Sequence, residues 1–314
     1  MFKHTAALTA VACALAFGAA AAQAADKPLK SIGVTVGSLG NPYFVTIVKG
    51  AEARAKQLNP NAKVTAVSAD YDLNKQFTQI DNFISAHVDM ILLNATDPKA
   101  IEPAVKKAQA AGITVVAVDV AAAGANATVQ TNNVKAGELA CDYLAKKLNG
   151  KGNVIIENGP QVSAVIDRVN GCKAVLAKNA GIKLLSSDQD GKGSREGGMN
   201  AMQGYLTRFP KLDGVFTIND PQAIGSDLAA KQLNRPNIVI TSVDGAPDIE
   251  VALKSNTLVQ ASSSQDPWAM AQQAVNVGYG ITNGQKPANP MILIEPTLIT
   301  RDNVKTYKGW SSPR

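Results

Sequence analysis

From Ser31 onward, short runs of β-branched and aliphatic residues alternate with longer stretches whose apolar residues recur every three or four positions. SIGVTV, AKVTAVSA, VDMILLNA and TVVAVDV form one series of strands, and GNVIIEN, IKLLSS, GVFTI, NIVITSVDG and TLVQASSS form a second after Asn132. The runs are hydrophobic with little alternation, the pattern of strands buried on both faces of a parallel sheet. The periodic stretches between them supply crossover helices, so the pattern predicts an α/β fold of two successive units, each a doubly wound parallel sheet with helices on both faces. No Pro/Gly/Ser-rich linker separates the units at Thr131–Asn133, which predicts two lobes joined by short, direct crossings. The chain then continues into DPWAMAQQAVNVGYGI, a long helical pattern, and PMILIEP. The halves share an architecture without a strict sequence repeat.

The first residues, MFKHTAALTAVACALAFGAAAAQA, break this rhythm. A lone lysine, an uncharged apolar run and the small-x-small site Ala22-Gln23-Ala24 predict a secretory signal peptide over residues 1–24, too short and alanine-rich for a membrane anchor. A lipid anchor at Cys13 would need leucine three positions earlier, where Ala10 stands. Cleavage takes 24 of the 314 residues and leaves 290, a length for two domains. It also removes Lys3 from 31 basic residues against 25 acidic ones, lowering the net charge from +6 to +5. That mild excess, spread without a basic block, gives no footprint for nucleic acid. Only His87 of the two histidines remains, which excludes a His-rich metal site, and DLNKQ at 72–76 lacks the acidic spacing of a calcium loop. Cys141 and Cys172 remain as an even pair in an oxidising compartment, to be read either as a disulfide or as two buried thiols.

Ligands of open parallel sheets bind beyond the carboxyl ends of the strands. Those positions carry Asn41, Asn94 and Asp119 in the first unit, and Asn219-Asp220, Asp244 and Gln265 in the second. Each one alone is equally a helix cap or turn residue; Asn41 before Pro42 is what a helix start looks like. As a set, two carboxylates and several amides converging on one cleft suit a ligand rich in hydroxyls, which both donate and accept. Tyr43 and Phe44 add flat apolar faces for the C–H face of a sugar, although neighbours on a helix diverge by roughly 100° and so do different jobs. Arg168, in SAVIDRVNG at a helix start, is the cation expected in the cleft, paired with ligand oxygens or with the carboxylates; its plainer reading is a surface arginine.

NPYF at 41–44, NATD at 94–97, VD at 118–119, TNNVKAGELACDYLAKKL, DR at 167–168, INDPQAIGS at 218–226, VDG at 243–245 and SQDP at 264–267 form an ordered series. With it, the chain resembles the ribose-type periplasmic sugar-binding proteins that deliver substrates to ABC importers, over essentially its whole mature length. The resemblance implies the type I periplasmic binding protein fold with a three-segment hinge near Thr131-Asn132, Ser264-Gln265 and Ile294-Pro296. The first lobe would then comprise residues 25–131 plus 266–294, and the second 132–265 plus 295–314. It implies ligand contacts at Asn41, Tyr43, Phe44, Asn94, Asp119, Arg168, Asn219, Asp244 and Gln265. A disulfide between Cys141 and Cys172, a periplasmic location, a monomer, no cofactor or metal, an ABC importer permease and a chemoreceptor as partners are further implications.

Three departures bear on the ligand. Val120 follows Asp119 where ribose-binding members carry arginine, DGKGSREGG around Gly193 holds no aromatic, and Gly37 replaces a hydroxyl residue. A site built to hydrogen-bond a substrate rejects one that leaves its groups unpaired, so these changes point from ribopyranose toward a sugar alcohol, a smaller polyol or another sugar. A competing class is a carbohydrate-active enzyme using Asp119 and Asp244 as paired carboxylates. Another, a transcription regulator with the same sensor, needs a DNA-binding helix pair where the signal peptide stands.

Overall fold

The computed structural model describes residues 26–310, so the expected signal peptide lies outside the described residues. In the first sheet, β1 (Ser31–Val36), β2 (Lys63–Ser68), β3 (Met90–Leu93), β4 (Thr114–Val118) and β5 (Ala127–Thr131) run parallel in the order 2-1-3-4-5. The second repeats that order with β6 (Lys151–Glu157), β7 (Gly181–Ser186), β8 (Gly214–Thr217), β9 (Val239–Asp244) and β10 (Val259–Ser264), in the order 7-6-8-9-10. The last two strands are shared out, β11 (Met291–Ile294) parallel to β5 and β12 (Thr297–Thr300) antiparallel to β10.

The helices are α1 (Pro42–Leu58), α2 (Leu73–Ser85), α3 (Glu102–Ala110), α4 (Asn133–Lys147), α5 (Ser163–Ala177), α6 (Arg195–Arg208), α7 (Asp220–Gln232), α8 (Pro247–Lys254) and α9 (Pro267–Thr282). One face of the first sheet packs on α1 and α9 through Ile47, Ala51, Met270 and Ala274, the other on α2 and α3 through Ile80, Phe83 and Val105. The second sheet is covered likewise by α4 and α5 on one side and α6, α7 and α8 on the other. Most connections between parallel strands are crossover helices, and the ends of the five parallel strands that open each sheet point to the same edge. The chain passes between sheets three times, from β5 to α4, from β10 to α9 and from β11 to β12.

Two strands lie outside the runs that the hydrophobic pattern picks out. β5, ATVQT, is wholly buried but carries two Thr and a Gln; β12, TLIT, is four residues long and follows Pro296. Neither is apolar or long enough to stand out alone, and both are recruited by the sheet edges they meet.

Helices α4 and α5 approach so closely that a Cβ on Gly137 would lie 2.0 Å from the Arg168 carbonyl oxygen, and one on Gly171 2.1 Å from that of Val134. One turn beyond Gly137 and one residue beyond Gly171, Cys141 and Cys172 are joined by a disulfide with Cα atoms 5.1 Å apart. The same helix contact fixes the height of Arg168. On the far side of this sheet, Glu157 at the end of β6 is fully buried against α7, with Gln222 Nε2 3.0 Å and Ser226 Oγ 2.6 Å from its carboxylate oxygens. Burial pushes its pKa from the ordinary 4.5 to about 8, against the lowering effect of those two donors.

Two predictions follow from this packing. The disulfide closes a span of 31 residues, so the Cys141→Ser/Cys172→Ser variant should lose stability. The chain-entropy scale puts that loss at about 3–4 kcal/mol, read as a lower urea midpoint, and an unchanged midpoint would contradict it. Glu157 holds a proton in the folded protein that the unfolded chain releases near pH 4.5. Its stabilising contribution is therefore complete below that pH and fades as pH rises toward 8. Glu157→Gln should flatten the decline of stability between pH 5 and 9 relative to wild type, and parallel curves would show that Glu157 does not titrate in this range.

Candidate ligand-binding cleft

All nine side chains singled out in the sequence line one cavity of about 100 Å³ between the lobes. At roughly 10–15 Å³ per water, that space holds several waters and so a small polyhydroxylated molecule. Both sheets direct their strand ends here at the switch points between β1 and β3 and between β6 and β8.

On the first lobe, Asn41 caps α1, its Oδ1 accepting from the Tyr43 backbone N–H at 2.9 Å, and Pro42 opens the helix. That fixed start carries Tyr43 and Phe44 into the cleft, their rings edge to face at 5.5 Å. Tyr43 has a role its sequence position did not indicate. Its hydroxyl donates to Asp119 Oδ1 at 2.7 Å and lies 3.3 Å from Gln265 Oε1, so it orients polar groups besides offering an apolar face. Asn94 completes the first-lobe set: Nδ2 donates to Asp119 Oδ2 at 2.9 Å, and Oδ1 accepts from the Gly37 N–H at 3.1 Å.

On the second lobe, Arg168 is buried in the second turn of α5. Its Nε donates to Asn133 Oδ1 (2.9 Å), and one Nη to both the Ile218 carbonyl (2.8 Å) and Asp244 Oδ1 (3.3 Å). Of the two partners expected for this cation, the carboxylate is the one shown. Gln265, at the β10–α9 crossing, donates from Nε2 to Asp244 Oδ1 at 2.7 Å and accepts at Oε1 from Thr131 Oγ1 at 2.7 Å. Asn219 caps α7, and its Nδ2 donates to the Gly193 carbonyl at 2.9 Å, holding the 190–194 loop at the cavity mouth.

Burial raises the pKa values of Asp119 and Asp244, and Arg168 is the main influence pulling each back down. Asp220 sits behind Asp244, accepting from Ser242, Ser262 and the Ala246 N–H. Burial and then the Asp244 charge raise Asp220, while Arg168 beside Asp244 pulls that carboxyl back down. Asp119 (φ 71°) and Asp244 (φ 142°) both adopt backbone conformations that L-residues avoid. Such strain costs roughly 1–3 kcal/mol per residue, and here it turns both carboxylates off their strands into the same cavity.

Residues absent from the sequence-based set also line the space. Val120, Val162, Ala164 and Ile218 form an apolar wall; Ala164 packs in the cluster of Val120 and Ala122, and the Ala121 N–H donates to Ser163 Oγ across the lobes at 3.0 Å. Valine in place of arginine at position 120 thus belongs to an interlobe apolar contact. Tyr71 and Lys192 stand at the mouth, one from each lobe. Tyr71 follows the end of β2, the one first-lobe strand end among β1 to β4 whose polar residues carried no expectation. Trp310 had no local signal: it packs edge-on to Tyr43 at 5.3 Å and donates Nε1–H to the Gln265 carbonyl at 3.1 Å. Among the described residues no cluster of three or more His, Cys, Asp or Glu could hold a metal ion, and no helix is long and apolar enough to cross a membrane.

The model of the periplasmic binding protein domain matches residues 32–286. The chain is 33% identical over 261 residues to the ribose import binding protein of Bacillus subtilis (strain 168), covering 82% of this chain and 83% of that protein. It is 32% identical over 286 residues to the xylitol-binding protein of Mycolicibacterium smegmatis, covering 90% and 80%. An ABC transporter solute-binding protein from Bacillus halodurans with bound myo-inositol matches at TM-score 0.82 and 26% identity, covering 90% of this chain and 98% of that one. A periplasmic solute-binding protein from Actinobacillus succinogenes with bound D-allose matches at TM-score 0.82 and 27% identity, covering 88% and 100%. By a domain match over most of its length, with relatives of similar size on either side, this chain belongs to the periplasmic binding protein family.

Proposed function

We propose that the protein is a periplasmic receptor that captures a sugar or sugar alcohol between its lobes and hands it to an ABC-type importer, without transforming it. The observation that carries this reading is the pairing of Asp119 from one lobe and Asp244 from the other on a single cavity, Asp119 held by Tyr43 and Asn94 and Asp244 by Gln265 and Arg168. A neutral ligand with several hydroxyls can donate to both carboxylates and accept from the guanidinium and amides. The names of the similar proteins, which bind ribose, xylitol, myo-inositol and D-allose, support the same class.

In this reading the lobes comprise residues 25–131 plus 266–294 and residues 132–265 plus 295–314, and the three crossings form the hinge. The crossings are tied to one another: the Asn132 N–H donates to the Ile294 carbonyl at 2.9 Å, Asn132 Nδ2 to Glu295 Oε1 at 3.0 Å, and Thr131 Oγ1 to Gln265. The closed face presented to the permease is monomeric, and a chemoreceptor is a second recipient of the same closed form.

Titration calorimetry of the mature protein against pentoses, hexoses, C3–C6 sugar alcohols and inositols tests the reading. One class should bind, with the ligand recovered chemically unchanged; no heat from any class, or a cleaved product from a glycoside, would overturn it. With the bound ligand, Asp119→Ala and Asp244→Ala should each weaken affinity by roughly 1.5–3 kcal/mol, the scale for hydrogen bonds to charged groups. That is on the order of a tenfold to hundredfold rise in Kd, and unchanged affinity in both variants would remove this cavity from consideration.

A further inference from the structure

Tyr71 lies in the loop between β2 and α2, at the mouth of the cavity. It and Asp70 are consecutive residues in the left-handed region, with φ of 57° and 52°, an unfavourable conformation for a bulky side chain. The neighbours enforce it. The Tyr71 N–H donates to the Gly37 carbonyl at 3.2 Å, Asp70 is paired with Lys75, and Asp72 caps α2 by accepting from the Lys75 N–H at 3.0 Å. The ring lies on Gly37 so closely that a Cβ there would be 2.6 Å from Tyr71 Cε1 and 2.9 Å from Cζ.

This contact joins two departures from the ribose-type pattern that the sequence left separate. The second-lobe loop facing Tyr71 across the mouth presents Lys192 and Gly193, with no ring. Glycine at 37 opens the space in which a first-lobe ring can lie. The Tyr71 side chain is half exposed overall, yet its phenol is pushed up to about 12, by burial first and then by the charges of Asp119 and Asp244. Tyr71 thus lines the cavity that holds these carboxylates while remaining partly open to solvent.

We infer that Tyr71 is a specificity-determining residue of the cleft, its ring covering the C–H face of the bound ligand from the first lobe, with Gly37 as the residue that lets it lie there. The inference rests on the sugar or sugar-alcohol reading above and adds to it the source of the apolar cover. The ring comes from the lobe that also carries Asp119 and Asn94. A flat ring favours ligands with a continuous C–H surface over those too short to span it, such as glycerol.

The test uses xylitol, D-ribose, myo-inositol, D-allose and glycerol as probes in calorimetry of the mature protein. For the tightest probe, Tyr71→Ala should raise Kd about tenfold or more, and Tyr71→Phe should stay within about threefold, as expected where the ring rather than the hydroxyl makes the contact. Tyr71→Ala should also narrow the ratio between that probe and glycerol, with the melting temperature of the ligand-free protein unchanged, which a purely structural role for the loop would not produce. Gly37→Ala should weaken binding in the wild-type background and cost nothing further in the Tyr71→Ala background, since the atoms it would strike are then gone. Unchanged affinity in Tyr71→Ala, equal losses in Tyr71→Ala and Tyr71→Phe, or additive effects of Gly37→Ala and Tyr71→Ala would each overturn the inference while leaving the receptor reading intact. A wild-type protein that binds none of the probes would overturn both.

Discussion

A chain of polar contacts threads the cleft: Tyr43 donates to Asp119 and lies 3.3 Å from Gln265 Oε1, and Gln265 and Arg168 donate to Asp244, so the two lobes' carboxylates are linked through the β10–α9 crossing. Every larger feature of the molecule bears on it. The two sheets exist in matching strand orders so that β4 and β9 end at the same place, and the crossings are short so that Gln265 can touch both carboxylates' networks. Buried carboxylates are costly unless they are hydrogen-bonded and paired. Here each has a guanidinium or amides arranged to accept that cost, and the groups left facing the cavity are those a hydroxyl-rich ligand can satisfy.

Holding these contacts in place requires local geometry that the chain would not adopt unaided. Positive φ at Asp119 and Asp244 is sustained by strands buried on both faces, and Arg168 is held at its height by the glycine contacts of α4 on α5 and by the disulfide one turn away. Stability is thus concentrated behind the site, in the helix pair and the sheet. The mouth is made of loops, at 70–72 and 190–194, anchored by a few side-chain bonds. Such a division allows a rigid floor with an adjustable rim, and the rim is where the chain departs from the ribose-type pattern.

Much of the fold was legible because parallel strands buried on both faces read as unbroken apolar runs, and because a polar residue after each run is conspicuous. Asn41, Asn94, Asp119, Asn219, Asp244 and Gln265 were found by position alone, and the structure brings them to one cavity. β5 and β12 were not legible, since a short strand of Thr and Gln is specified by its neighbours rather than by its own residues. Trp310 was invisible for a related reason: it reaches Tyr43 from the far end of the chain, a contact no local pattern encodes. Tyr43 showed its aromatic character but not its hydrogen bonds, which depend on two partners 76 and 222 residues away.

Contact between the lobes beside the cavity includes an apolar patch, Val120 and Ala122 with Ala164, and a bond from the Ala121 N–H to Ser163 Oγ. Closing the cleft around water alone would desolvate Asp119, Asp244 and Arg168 and return little beyond that contact. Closing it around a ligand that replaces the lost water with hydroxyls returns a hydrogen bond for each buried group. The closed state therefore gains from the ligand what the open state cannot, and a ligand shifts a two-state equilibrium only by such a difference in affinity. Replacing an arginine by Val120 strengthens the apolar wall while removing a charge that would also have needed a partner, which lowers the number of ligand oxygens required for closure.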